Sequence, residues 1–347
     1  MNFASDNTAG AHPRVLEAIA AVNDGVARSY GADRWSEELN EALSIWFDRA
    51  VQVFPVATGG AANALALSQL TPPWGAVFCH RESHINVDEC GAPEFYSGGA
   101  KLVALDGPAG KLASAPLRQA LLNHPRGEVH RMQPGAVSIT QATECGTIYT
   151  PHEVGALAQV AAEAGIPLHM DGARLSNALV TLGCKPADIT WKAGVAALSL
   201  GFTKNGAIAS EGVVFFDAEL AEHFAFRRKR GGHLFSKMRF FAAQMLAMLE
   251  DDLWRDLAGA ANAGARQLAQ IFAEAGCTLA FDVEANEVFA HLPRAVADGL
   301  RQDGAYFYPW GAESGEAPLY RFVCSFATRE AEINRFRDRL HFHRSRN

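Results

Sequence analysis

Seven short apolar stretches, spaced between segments of helical texture, constrain this chain more than any other feature of its sequence. They fall at residues 51–56, 76–79, 100–105, 136–140, 166–170, 196–200 and 213–216. Each is too short for a buried helix and lacks the polar alternation of a half-exposed strand, so each reads as a strand covered on both faces. Helical patterns over 61–69 and 151–164 lie between them, the second closed by Gly165 as a helix stop. Strands joined by helical crossovers imply a mostly parallel seven-stranded sheet with helices on both faces.

The texture differs on either side of this block. Helices are predicted over 12–27 and 36–50. After about residue 217 come a basic helix over 219–230 and a long Ala/Leu-rich helix over 236–272 with a break near 258–263. Two strands (287–291 and 319–325) and a helix (330–341) follow. The reading is an N-terminal arm (1–14), a large α/β domain (15–250) and a small C-terminal α+β domain (251–347), an organisation that 347 residues can support. The formal net charge of −7 carries no nucleic-acid footprint. The one dense basic run, Arg227-Arg228-Lys229-Arg230, reads equally well as a solvated helix face. Six widely spaced cysteines without a CxxC pair argue against a disulfide framework or a zinc site. No secretory signal or membrane-length apolar run is visible, so a cytoplasmic protein is expected.

In a parallel α/β sheet, ligands bind beyond the carboxyl ends of the strands. The polar residues that follow predicted strands are Thr58-Gly59-Gly60, His84, Glu144, Asp171 with Arg174, and Lys204. Two glycines between a strand and a helix expose backbone N–H groups at a helix start, which suits a phosphate or simply a tight turn. The pattern is neither GxGxxG nor GxxxxGK[ST], which disfavours dinucleotides and ATP. An acid directly after an apolar strand, with Arg174 three residues on, forms either a structural ion pair or a working one. In the working case Asp171 holds a protonated ring nitrogen and Arg174 grips a carboxylate. Lys204, among small residues after a buried strand, is a candidate Schiff-base lysine, since desolvation favours its neutral form. A phosphate loop, an acid for a ring nitrogen and a lysine together make the toolkit of pyridoxal 5'-phosphate.

At this point the chain resembles the L-threonine aldolase (beta-eliminating lyase) family of fold-type-I pyridoxal-phosphate enzymes. The resemblance runs over nearly the whole chain. It is carried by Ser5-Asp6-Asn7-Thr8, Tyr30-Gly31-Ala32-Asp33, Thr58-Gly59-Gly60-Ala61-Ala62-Asn63, and His84 through Glu89-Cys90-Gly91-Ala92. His169-Met170-Asp171-Gly172-Ala173-Arg174, Ser199 through Lys204-Asn205-Gly206, Lys229-Arg230-Gly231-Gly232 and Arg321 complete it. The low-specificity branch with a TKNG lysine loop is the nearest in pattern. The resemblance implies an aspartate-aminotransferase-like large domain and retro-aldol cleavage of L-threonine, L-allo-threonine or phenylserine to glycine and an aldehyde. It implies that Lys204 forms the internal aldimine, Asp171 pairs with the pyridinium nitrogen, and Gly59 and Gly60 hold the phosphate with a hydroxyl from Thr203. His84 would stack on the ring, and Ser5, Arg174 and Arg321 would bind the substrate carboxylate. Lys229, Arg230 and Tyr30 would reach a neighbouring subunit's site, in a homo-oligomer expected to be a tetramer built as a dimer of dimers.

One stretch departs from the family pattern. Where many members carry a histidine in an ENTHN-like loop, this chain reads Gln141-Ala142-Thr143-Glu144, with Glu144 in the histidine's place. His130 is then a substitute candidate for the base, and Asp88, four residues past His84, is a candidate for the β-hydroxyl or a surface carboxylate. His80 and His84 share metal-pair spacing, but no third ligand is spaced nearby, so no metal is expected. Competing readings on the same fold are a β-eliminating lyase, a hydroxymethyltransferase-like enzyme and an aminotransferase. A binding protein that has kept the fold without the chemistry is the alternative outside the enzymes.

Overall fold

The computed structural model describes residues 1–346. All seven predicted strands form: β1 (Gln52–Val56), β2 (Gly75–His80), β3 (Lys101–Leu105), β4 (Gln133–Thr140), β5 (Leu168–Gly172), β6 (Val195–Gly201) and β7 (Glu211–Phe215). They make one sheet in the order β1-β7-β6-β5-β4-β2-β3. The five strands from β6 to β3 run parallel, whereas β7 lies antiparallel between β6 and β1. Two reversals in succession return β1 to the direction of β6. The carboxyl ends of β1, β4, β5 and β6 and the first residue of β7 therefore share one edge of the sheet. Register fixes the last point, since Glu211 is paired with Val56 on one side and Gly201 on the other.

β2, β5 and β7 are buried along their whole length. The helix Gly59–Leu70 is apolar around its circumference, with an unbroken buried run from Ala61 to Ser68, as expected of a helix inside the molecule rather than on it. A second sheet, β8 (Glu287–His291), β9 (Tyr308–Pro309) and β10 (Leu319–Val323), has the order β8-β10-β9 and is antiparallel. Its aromatic core holds Phe272, Phe322 and Phe336, and Phe3 enters it from the other end of the chain. The N-terminal segment is tied there by Phe3 N–H to Tyr306 O (2.8 Å) and Val323 N–H to Phe3 O (2.8 Å).

The break in the long helix lies elsewhere than predicted. Leu253–Glu274 runs unbroken through 258–263, and the interruption falls at Glu250–Asp252, where Asp251 (φ 51°) and Asp252 (φ 54°) are left-handed. Aspartate tolerates that conformation better than most residues. Small residues did not break the helix because it packs closely: the position of a Cβ on Gly264 lies 3.3 Å from Cys324 Sγ. Among the described residues, no helix is long and apolar enough to cross a membrane, and no group of His, Cys, Asp and Glu is arranged to hold a metal. His80 turns away from His84, its Nε2 lying 3.1 Å from Gly107 O.

Candidate active site

The shared sheet edge opens into a cleft with a cavity volume of about 380 Å³, lined among others by Asn7, Gly59, Gly60, Asn63, His84, Glu144, Asp171, Arg174, Thr203, Lys204 and Glu211. At one end Thr58 caps the buried helix Gly59–Leu70, its Oγ1 accepting from Ala61 N–H at 3.2 Å. The first-turn N–H groups of a 12-residue helix remain turned outward, carrying the positive end of its dipole. Gly201, opposite, is required sterically: a Cβ there would lie 2.6 Å from Glu211 Oε2 and 3.1 Å from Ala173 Cα.

Asp171 is the last residue but one of β5 and is 5% exposed. Its Oδ1 accepts from Ala173 N–H (3.0 Å) and its Oδ2 from the Asn63 side-chain amide (2.7 Å). The same Asn63 nitrogen donates to Glu89 Oε1 at 2.8 Å, and Glu89 Oε1 also meets His84 Nδ1 at 2.9 Å. A line of contacts thus runs His84–Glu89–Asn63–Asp171. The hydrogen bond from Glu89 raises the pKa of His84, against the effect of burial. Burial raises that of Glu89, against its bonds to His84 and Asn63. Beneath the strand ends, His169 is wedged between Ser138 Oγ (2.9 Å) and Ser199 Oγ (3.0 Å), and burial pushes its pKa down to about 4.

Lys204 sits in the turn Thr203–Asn205 directly after β6. Beside it, Glu211 Oε1 accepts from Thr203 N–H at 3.3 Å, and burial pushes the Glu211 carboxyl up to about 7. Glu144, on the loop after β4, accepts from His84 N–H at 2.7 Å and so caps the short helix His84–Val87. Burial pushes its carboxyl up to about 7 as well.

Arg174 reaches the cleft already partnered. Its Nε and one terminal nitrogen form a two-pronged contact with Asp6 (2.8 and 3.0 Å), and its other terminal nitrogen lies 3.5 Å from Glu287. Asp6 is buried. Burial alone would raise its pKa, but Arg174 and Lys204 outweigh that and lower it. Arg321, on β10, is half-buried with its guanidinium over the Trp310 ring at 5.5 Å, and it shares with Arg174 an electrostatic pull on Glu287. Ser5 Oγ accepts from the N–H of Asn7, and Asn7 lines the cleft.

The remaining candidates lie apart from it within one chain. Asp88 ends the short helix exposed, outside the lining, and Glu89 turns inward instead. Its spacing of four residues from His84 does not place it on a shared helix face, because the helix stops at Val87. His130 is exposed on the loop before β4, whereas Thr140 at the far end of β4 lines the cleft, so the length of an eight-residue strand separates them. Lys229 and Arg230 are exposed, and the Lys229 ammonium stands 4.7 Å from the Tyr30 ring centroid. Reasoning from sequence assigned no role to Asn63, Glu89, Glu211, Asp6 or Glu287. Asn63 and Glu89 stood inside quoted motifs. Glu211 opens a strand whose reversed direction the sequence did not reveal.

The chain is 43% identical over 337 residues to the low specificity L-threonine aldolase of Pseudomonas aeruginosa, covering 97% of this chain and 95% of that one. It is 42% identical over 332 residues to the enzyme of the same name from Pseudomonas sp. strain NCIMB 10558, covering 95% and 94%. Its fold matches the Leishmania major threonine aldolase with a TM-score of 0.93 at 27% identity, over 99% of both chains. The Sphingomonas wittichii serine palmitoyltransferase shares the fold alone, with a TM-score of 0.73 at 14% identity over 99% of this chain and 86% of that one. Residues 2–295 match the family described as beta-eliminating lyase. With its fold and nearly its full length in common with these threonine aldolases, this chain belongs to the beta-eliminating lyase family.

Proposed function

We propose that the protein is a low-specificity L-threonine aldolase. It cleaves the Cα–Cβ bond of L-threonine, L-allo-threonine and related β-hydroxy-α-amino acids such as phenylserine, yielding glycine and an aldehyde. The observation that carries the reading is the convergence of Lys204, an Asn63-braced Asp171 and the open start of the helix Gly59–Leu70 on one cleft.

These residues fit pyridoxal 5'-phosphate. The outward N–H groups of the glycine turn suit a phosphate. The carboxylate of Asp171 is held by two donors and remains able to accept from a ring N–H. When bound, pyridoxal phosphate supplies a carbonyl for amines and an electron sink for the carbon freed by bond cleavage. Lys204 would be the residue that holds that carbonyl, and Asp171 would hold a proton on the ring nitrogen. Arg321 and Ser5, which stand outside the cleft lining, are assigned to the substrate carboxylate. Arg174 contributes what its contact with Asp6 leaves over. His84 lies over the cleft and moves the proton of the substrate hydroxyl. Exposed Tyr30, Lys229, Arg230 and His130 are assigned to a neighbouring copy's cleft, which makes the working unit a homo-oligomer, taken as a tetramer.

The test is incubation with L-threonine, L-allo-threonine and phenylserine, with detection of aldehyde and glycine. Release of both supports the reading. Amino transfer to a keto acid or elimination without glycine overturns it. Mixing a Lys204→Ala chain with a Lys229→Ala chain tests the shared site. Recovery of activity in the mixture supports cross-subunit completion, and its absence refutes it.

A further inference from the structure

Glu89 is a buried carboxylate that the reaction as described leaves without a task. Its Oε1 takes the Asn63 amide at 2.8 Å and meets His84 Nδ1 at 2.9 Å. The amide nitrogen, shared between Glu89 and Asp171, can only donate, so Glu89 Oε1 accepts from it. Imidazole is a stronger base than a carboxylate, so the proton of the Nδ1 contact sits on Nδ1 and points at Glu89. Asn63 is itself fixed, because both of its N–H bonds are spent on carboxylates. Glu89 therefore cannot swing away without giving up its own bonds to Asn63 and His84.

We propose that Glu89 is a positioning residue that holds the proton of His84 on Nδ1 and so leaves Nε2 as the lone-pair atom that takes the substrate's hydroxyl proton. The inference rests on the aldolase reading for its consequence in turnover, but not for the state of the imidazole. In the step it serves, the O–H bond of the substrate breaks and its proton passes to Nε2. The oxygen forms the aldehyde carbonyl, and the Cα–Cβ electron pair stays with Cα. Cα then takes up one proton to give glycine, so nothing is oxidised or reduced. An acid that orients and charges an imidazole through the nitrogen not used in proton transfer is the logic of hydrolytic triads. Charged groups facing His84 from other elements are Asp171 on β5, Lys204 after β6 and Glu144 on the loop after β4. Asp171 acts with Glu89 to favour the imidazolium, and Lys204 acts against it.

Glu89→Gln separates charge from shape, since a glutamine oxygen still accepts from Asn63 and His84. The experiment follows the titration of His84 by NMR in the cofactor-loaded enzyme with 13C-labelled histidine, assigned with His84→Asn, alongside the pH profile of kcat/KM. In Glu89→Gln the His84 pKa is expected to fall by about one unit or more, and the acid limb of kcat/KM to move down with it. Glu89→Asp keeps the charge and should hold the His84 pKa within about half a unit of the parent value. A Glu89→Gln shift below about half a unit, or an acid limb that stays in place, overturns the proposal. Should Glu89→Gln fail to fold, a fall in the His84 pKa of Glu89→Asp beyond the same half unit overturns it instead. Absence of aldehyde from the unmodified enzyme would sink the aldolase reading, while the NMR titration would still judge the role of Glu89.

Discussion

Replacing Asp6 with alanine should destabilise the protein more than most single changes, and the structure sets the size of the effect. The Asp6 side chain is 2% exposed and the Arg174 side chain 11%, so solvent screens their contact little. Both prongs are short (2.8 and 3.0 Å), and Asn286 donates a further bond to Asp6 at 3.0 Å. Removing one member of a buried pair costs about 3–5 kcal/mol, because the other is left charged in the interior. Glu287 stays 3.5 Å from Arg174 and absorbs part of that loss, which points to the lower end, about 3 kcal/mol. Acidity gives a second, independent signature. The folded pKa of Asp6 is lowered below its unfolded value, so its contribution is present above roughly pH 4 and is lost as pH falls through the folded value. The gap between parent and Asp6→Ala should be full at pH 7 and shrink in acid. Urea unfolding, which leaves ionic strength unchanged, measures it from the midpoints and slope. A difference under about 1 kcal/mol at pH 7, or one that does not narrow in acid, would refute the reasoning.

Three shorter predictions follow from the cleft. Lys204→Ala should fold and yet lose the long-wavelength absorbance of a lysine-bound pyridoxal group; a persistent band would remove Lys204 from its role. Glu144 is an acid with a raised folded pKa, near 7, so it costs stability as pH rises from about 4 to 7. Glu144→Gln should therefore gain on the parent between pH 5 and pH 8, by at most about 3 kcal/mol, and a pH-independent difference in thermal or urea stability would contradict this. Gly201→Ala forces a Cβ against Ala173 and Glu211, so a loss of about 1–3 kcal/mol is expected in urea melts, and parental stability would show that the strand ends yield more easily than their packing implies.

The parts of this protein that could be read in advance are those whose physics is local in the chain. Strands buried on both faces write themselves as apolar runs, and a polar residue after such a run marks the working edge of a parallel sheet. Lys204 and Asp171 were legible for that reason. Asp88 was singled out by its spacing from His84 alone, and spacing does not show that the helix stops at Val87, leaving Asp88 exposed and the next residue, Glu89, buried. Arg174 was read as waiting for a ligand because its partner, Asp6, lies 168 residues away along the chain. Nothing local can show that a charge is already answered from such a distance. The same limit hid Glu211, whose place beside Gly201 depends on β7 running against its neighbours. The break at Glu250–Asp252 was missed because small residues were taken as weak points, whereas three successive acids were the weaker point.

The insertion of Phe3 among Phe322 and Phe336 bears on how the molecule is made. A ribosome delivers Phe3 more than 300 residues before the aromatic rings that enclose it. Through most of synthesis the first residues of the chain have no seat, and Asp6 cannot be presented to Arg174. Until those first residues find their seat, the large sheet carries Arg174 at its edge with only Glu287 to answer it. Catalytic competence would then be gained in one late step, when the two ends of the chain close together over a sheet already formed.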